Sequence, residues 1–142
     1  METVRQLLEE HTGGTVQVAP DATVLDALRL MAERNVGSVV VMEGDRLAGI
    51  VTERDYARKV VLEGRQSSDT PVRDVMSANV TCVTPDRTVA ECMSLMSDGR
   101  FRHLPVLEND RLVGIISIGD LVRSTIEDQK RTIDELTQYI NG

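Results

Sequence analysis

The chain has 142 residues, enough for one compact domain or for two small halves that share a core. With 41% hydrophobic residues it belongs among globular rather than disordered chains, and its aromatics are so few (Tyr56, Phe101 and Tyr139) that the core has to be aliphatic. A formal net charge of −7 argues against nucleic acid or an anionic membrane as the main partner, while leaving room for a locally basic pocket that holds a small anion.

The opening "METVRQLLEEHTGG" carries acids and no long apolar run, unlike a secretory signal. No stretch approaches the ~20 apolar residues of a membrane span. Cys82 and Cys92 lack metal-ligand spacing and disulfide-framework density. A soluble, cytoplasmic protein with reduced thiols and no bound metal is expected.

In chain order, "VRQLL" (4–8) leads into residues 15–18, where alternating Val16 and Val18 predict a strand ended by Pro20 and Asp21. Asp21 or Thr23 caps a helix whose buried face carries Val24, Ala27, Leu28 and Met31. "VGSVVVM" (36–42) is a continuous β-branched run, as in a strand buried on both faces. "EGDR" (43–46) is a hairpin turn, "LAGIV" (47–51) the return strand, and "TERDYARKVVLEG" (52–64) a helix stopped by Gly64. A polar link, "GRQSSDTP", ends with Thr70-Pro71 opening a short helix. The same order then recurs as strand 79–83, helix 88–98, strand 103–108, turn 109–110, strand 112–116 and a long helix 117–140.

The recurrence is a true repeat. Moved by 65 residues, Pro20 falls on Pro85, Asp21 on Asp86, Leu30-Met31 on Leu95-Met96, Asp45-Arg46-Leu47 on Asp110-Arg111-Leu112, and Gly49-Ile50 on Gly114-Ile115, without a gap to Asp55 and Asp120. At a slightly different offset "VRQLL" echoes "VRDVM" (72–76). The expected organisation is a first repeat at 1–64 with its lead-in helix, a link at 65–71, a second repeat at 72–125 and a helical extension at 126–142. The two copies are expected to complete one core between them.

Each copy ends a buried strand with a hydroxyl followed three residues later by an aspartate: Thr52 and Asp55, Ser117 and Asp120. One such pair is ordinarily a helix start, the hydroxyl accepting from free N–H groups and the acid suiting the helix dipole. Two pairs in equivalent places point further. A helix N-terminus after a buried strand suits a phosphate, and a carboxylate accepts from both hydroxyls of a ribose. Gly49 and Gly114 leave room for close backbone approach.

The segments "VTPDRTVAECMSLM" and "RHLPVLENDRLVGIISIGDLV", with "VAPDATVLDALRLM" and "VGSVVVMEGDRLAGIVTERDY" before them, resemble the cystathionine-β-synthase (CBS) domain, in tandem as a Bateman module. The resemblance covers about Val4 to Val122 and looks most like stand-alone CBS-pair proteins. It implies an α/β fold of the α+β type, two pseudo-symmetric β-α-β-β-α repeats with small sheets flanked by helices. It also implies no catalysis, and clefts between the copies that take AMP, ADP, ATP, NAD or S-adenosylmethionine. On that resemblance Thr52 and Ser117 would meet phosphate, and Asp55 and Asp120 ribose. Gly37, Ser38, Val18 and Val83 would line adenine. Arg102, His103, Arg54 and Lys59 would serve as cations. Where the first copy has Gly37-Ser38 the second has Arg102-His103, which makes the two sites unequal.

Other readings stand beside these. His103 is also readable as a structural histidine, Arg54 and Arg58 as a solvated helix face, Met31, Met93 and Met96 as core filler, and Cys82 as a redox residue. Val122, Ile126, Gln129, Ile133, Leu136 and Ile140 step like a coiled-coil seam, packed on the module itself or joining two chains. The leading expectation is a non-catalytic adenine-nucleotide sensor, homodimeric, that signals to an unidentified effector protein. An enzyme and a purely structural dimerisation unit are the rivals.

Overall fold

The computed structural model describes residues 2–10 and 15–141; Met1, residues 11–14 and Gly142, the end of the expected extension, lie outside the described residues. The elements are α1 (Val4–Glu10), β1 (Gln17–Val18), α2 (Val24–Arg34), β2 (Ser38–Glu43), β3 (Arg46–Thr52), α3 (Glu53–Tyr56) and a π-helical turn (Ala57–Val61). A 3-10 turn (Val72–Asp74), α4 (Val89–Gly99), β4 (His103–Glu108), β5 (Arg111–Ser117) and α5 (Ile118–Asn141) follow. This is the expected mixed α/β fold, small sheets flanked by helices. Among the described residues no helix is long and apolar enough to cross a membrane.

The β2–β3 and β4–β5 hairpins repeat each other in detail. Both are antiparallel, and both slip register at the same place, between Val41 and Met42 and between Val106 and Leu107. Their two-residue turns use positive φ at Gly44 in one and at Asn109 and Asp110 in the other, residue types that tolerate it. Thr23 and Thr88 close reciprocal capping boxes with Asp26 and Glu91 at the starts of α2 and α4. The copies differ at the first strand. β1 runs parallel to β2, but the strand expected at 79–83 shrinks to one parallel bridge, Val83 with Val106. Polar, exposed Asn79 and Thr81 leave the sheet there.

The lead-ins are exchanged. Helix α1, grouped by sequence with the first copy, packs into the second: Val4, Leu7, Val83, Val89, Cys92, Met96, Leu104, Val106, Ile116 and Leu121 form one core. Val72 and Val75, ahead of the second copy, pack into the first, with Val18, Val24, Ala27, Met31, Val39, Val41, Val51 and Val60. The single shared core expected from sequence is therefore replaced by two cores, each closed by a segment lying outside its own repeat.

Backbone bonding follows the same pseudo-twofold rule. Val4 N–H donates to Arg87 C=O as Val72 N–H does to Ala22 C=O, both at 2.8 Å. Arg5 N–H reaches Pro85 C=O at 2.9 Å and Arg73 N–H reaches Pro20 C=O at 3.1 Å. Val40 and Ile50, buried outside both cores, occupy the opposite face of the first hairpin from Val39, Val41 and Val51. The halves meet through β3 and β5.

Gly49 and Gly114 serve this exchange. A Cβ on Gly114 would lie 2.5 Å from Leu8 Cδ2 of α1; one on Gly49 would lie 2.7 Å from both Met76 Sδ and the Ser77 carbonyl oxygen. The close approach anticipated at these glycines is thus made by the lead-ins. Because the Ser77 carbonyl is backbone and bonded to Ile50 N–H, it cannot swing away as a leucine tip can. Gly49→Ala is expected to cost about 1–3 kcal/mol and Gly114→Ala distinctly less, read as the difference in urea midpoints at constant m-value.

Candidate functional site

Helices α3 and α5 each begin where a buried strand ends, and the hydroxyl–carboxylate pairs cap them. Thr52 N–H donates to Asp55 Oδ2 at 2.9 Å and Asp55 N–H donates to Thr52 Oγ1 at 3.2 Å. Ser117 N–H donates to Asp120 Oδ2 at 2.8 Å and Asp120 N–H donates to Ser117 Oγ at 3.2 Å. The other oxygen of each carboxylate meets a cation, Lys59 at 3.3 Å from Asp55 and Arg123 beside Asp120. Each aspartate side chain keeps 13% of its surface exposed. The helix-start role is therefore real, and it leaves both acids at the mouths of two cavities.

The first cleft, about 880 Å³, joins Ile50, Thr52, Glu53, Arg54, Asp55 and Arg58 of the first copy to Ser77, Asn79–Thr81 and Arg100–His103 further along the chain. The second, about 770 Å³, joins Ser117–Asp120 and Arg123 to Thr15, Val16 and Arg34–Ser38 of the first copy. Both volumes lie in the range of roughly 300–1,000 Å³ usual for small-molecule sites. Each is thus roofed by one copy's helix start and walled by the other copy's strand entrance. Gly37, Arg102 and His103 line both.

Of the residues singled out from sequence, the structure brings Thr52, Arg54 and Asp55 to the first cleft, Ser38, Ser117 and Asp120 to the second, and Gly37, Arg102 and His103 to the wall they share. Val18 and Val83 line neither. They are 9% and 4% exposed inside the two cores; two residues earlier, Val16, equally buried in the first core, and exposed Thr81 reach the walls. Lys59 is also outside both: its ammonium donates to the Val75 carbonyl at 2.9 Å and pairs with Asp55, tying the π-helical turn to the lead-in ahead of the second copy. Among the described residues no group of His, Cys, Asp and Glu could hold a metal ion.

A model of the CBS domain matches residues 4–62 and 72–127. The chain belongs to the CBS-domain family. Among its relatives, a mitochondrial CBS domain-containing protein of Arabidopsis thaliana, CBSX3, is 41% identical over 135 residues. The match takes in 92% of this chain and 66% of that protein, so the chain spans just under two thirds of the relative's length. A solved protein with CBS domains from Burkholderia ambifaria is 49% identical, with 89% of this chain and 96% of that one covered at a TM-score of 0.85. A hexameric CBS-CP12 protein from bloom-forming cyanobacteria is 28% identical, over 97% and 86% of the two chains, with a TM-score of 0.76.

Across the CBS pair the cleft chemistry is basic and unequal. Sequence reasoning did not place Arg34, Arg58, Arg100 or Arg123 at a site, yet all four line a cleft. One signal was available: Arg58 and Arg123 each follow the repeated aspartate by three residues. Burial pushes both thiols up, Cys92 to about 11, which keeps them protonated and unreactive at neutral pH.

His103 stands between the clefts, 3.9 Å from where a Cβ on Gly37 would lie. Burial pulls its pKa below the usual imidazole value; Asp120 and Glu53 oppose that shift, and Arg102 reinforces it. The unfolded chain therefore binds the proton first as pH falls, and stability tied to neutral His103 is lost below about pH 6.5. Thermal melts from pH 7.5 to 5.5 are expected to fall more steeply for the wild type than for His103→Gln.

Proposed function

We propose that this CBS pair is a non-catalytic sensor that binds adenine nucleotides, AMP, ADP, ATP or NAD, in its two inter-repeat clefts and passes their occupancy to a partner protein. The observation that carries the reading is the doubled helix start, a hydroxyl and a carboxylate facing arginines across each cleft. Phosphate suits the N-terminus and the arginines. A ribose diol suits an aspartate, which has about four acceptor sites and spends some of them on the cap and the neighbouring cation. Protonated thiols and a neutral, half-buried histidine favour binding over nucleophilic chemistry. Two free cysteines fit the reducing cytoplasm expected from the sequence.

Mass spectrometry of nucleotides released from purified protein, followed by calorimetry with AMP, ATP, NAD and S-adenosylmethionine, tests this directly. Asp55→Asn and Asp120→Asn, which keep an acceptor for the cap, are each expected to remove about one site per chain. Ligand at a hundredfold excess over Kd should stabilise the wild type by about 2.7 kcal/mol for each site filled, and it should be recovered unaltered. Binding of all four compounds by both variants as by wild type would sink the ribose assignment. Turnover of ATP or NAD would favour an enzyme instead.

The sensor is proposed to act as a homodimer. Residues 129–141 of α5 are exposed on every side, and helices of that length are marginal alone in water. Its seam stays open, with Ile126 at 45%, Ile133 at 61%, Leu136 at 57% and Ile140 at 78% exposure. Isoleucine fills one seam position at 126, 133 and 140, while the other holds Val122, Gln129 and Leu136, a seam with one polar layer. The hexameric cyanobacterial relative supports self-association in general. Light scattering should give twice 15.7 kDa for the wild type, and the monomer mass for Ile133→Glu/Leu136→Glu.

A further inference from the structure

Among the described residues the two clefts hold different amounts of unbalanced charge. The first is lined by Arg54, Arg58, Arg100 and Arg102, and none of these four makes an ion pair among the described residues. Its two acids are Asp55, held by Lys59, and Glu53, directed toward Gly37 and His103. The second cleft has Arg34, Arg102 and Arg123 against Glu10 and Asp120, and its Arg123 is already committed to Asp120. The difference is built into equivalent positions. Arg54 stands where the second copy has Gly119, and Arg58 is unpaired where Arg123 is paired.

Arg100 adds an independent observation. It ends α4 at φ 56°, the left-handed conformation that its counterpart Asn35 adopts at φ 53° at the end of α2. Asparagine tolerates that conformation; a long side chain with a full Cβ and Cγ is disfavoured there. The chain keeps a guanidinium at the strained position, and that position is on the wall of the first cleft.

We infer that the first cleft is the polyphosphate site of the pair, selecting a nucleoside di- or triphosphate over a monophosphate, while the second cleft makes little distinction between them. This rests on the nucleotide reading of both clefts. Four unpaired guanidiniums offer bidentate donors to the oxygens of a β- and γ-phosphate. The second cleft has fewer uncommitted guanidiniums to offer them.

The test is calorimetry with ATP and AMP on full-length protein left with one working cleft. Asp120→Asn, which keeps the first cleft, is expected to bind ATP about tenfold or more tighter than AMP, with a preference that fades as salt rises. Asp55→Asn, which keeps the second, is expected to bind the two within about threefold of each other. Adding Arg100→Asn to Asp120→Asn should lower ATP affinity by about fivefold or more and leave AMP nearly unchanged. It should also raise the melting temperature, since the left-handed strain is relieved. Nucleotide binding with equal preference at both clefts, a polyphosphate preference at the second, or no effect of Arg100→Asn overturns this inference and leaves the sensor standing. Failure of the wild type to bind any adenine nucleotide overturns both.

Discussion

The exchange of lead-in segments is the constraint on which the rest of the structure depends. A repeat of this size exposes too much apolar surface to be stable alone, and each copy here is finished by a piece of chain from outside it. Val4 and Leu7 close the second core; Val72 and Val75 close the first. Each buried aliphatic side chain contributes about 1.5–3 kcal/mol relative to exposure, so either lead-in carries a sizeable part of its core's stability. Backbone bonds from Val4, Arg5, Val72 and Arg73 fix the geometry, and glycines at 49 and 114 allow it, because any side chain there would meet Met76, Ser77 or Leu8.

From that exchange the clefts follow. Linking the copies crosswise sets the start of α3 against the strand entrance of the second copy, and the start of α5 against that of the first. A hydroxyl–carboxylate pair that caps a helix in any protein here faces arginines from the opposite copy. The two copies diverge along the shared wall, Gly37-Ser38 against Arg102-His103, and at Arg54 against Gly119 and Asn35 against Arg100, so the two clefts are lined unequally. His103 and Arg102 border both cavities.

Much of this was legible in the chain. Alternation, β-branched runs and turn residues located both hairpins, and a cap at Asp21 or Thr23 with a helical apolar spacing located α2, whose repeat gave α4, because these features depend on neighbours close in sequence. The recurrence of Thr52–Asp55 as Ser117–Asp120 located both helix starts. What escaped depends on long-range pairing. Nothing local in "VRQLL" says which copy it will finish. The strand expected at 79–83 collapsed to one bridge because Asn79 and Thr81 turn to a cleft rather than a sheet. Val18 and Val83 share the strand pattern of true wall residues, yet tertiary packing places them inside the cores. Lys59 reads as a free cation, although the π-helical turn aims it at the Val75 carbonyl.

Hydrogen exchange on two reciprocal variants tests the exchanged architecture most directly. Val4→Ala opens a cavity in the second core and Val72→Ala in the first. The account predicts that Val4→Ala loses amide protection mainly in β4, β5 and α4, far along the chain from the substitution, and that Val72→Ala loses it mainly in β2 and β3. Loss centred on β2 and β3 in Val4→Ala, or equal loss throughout in both, would contradict it.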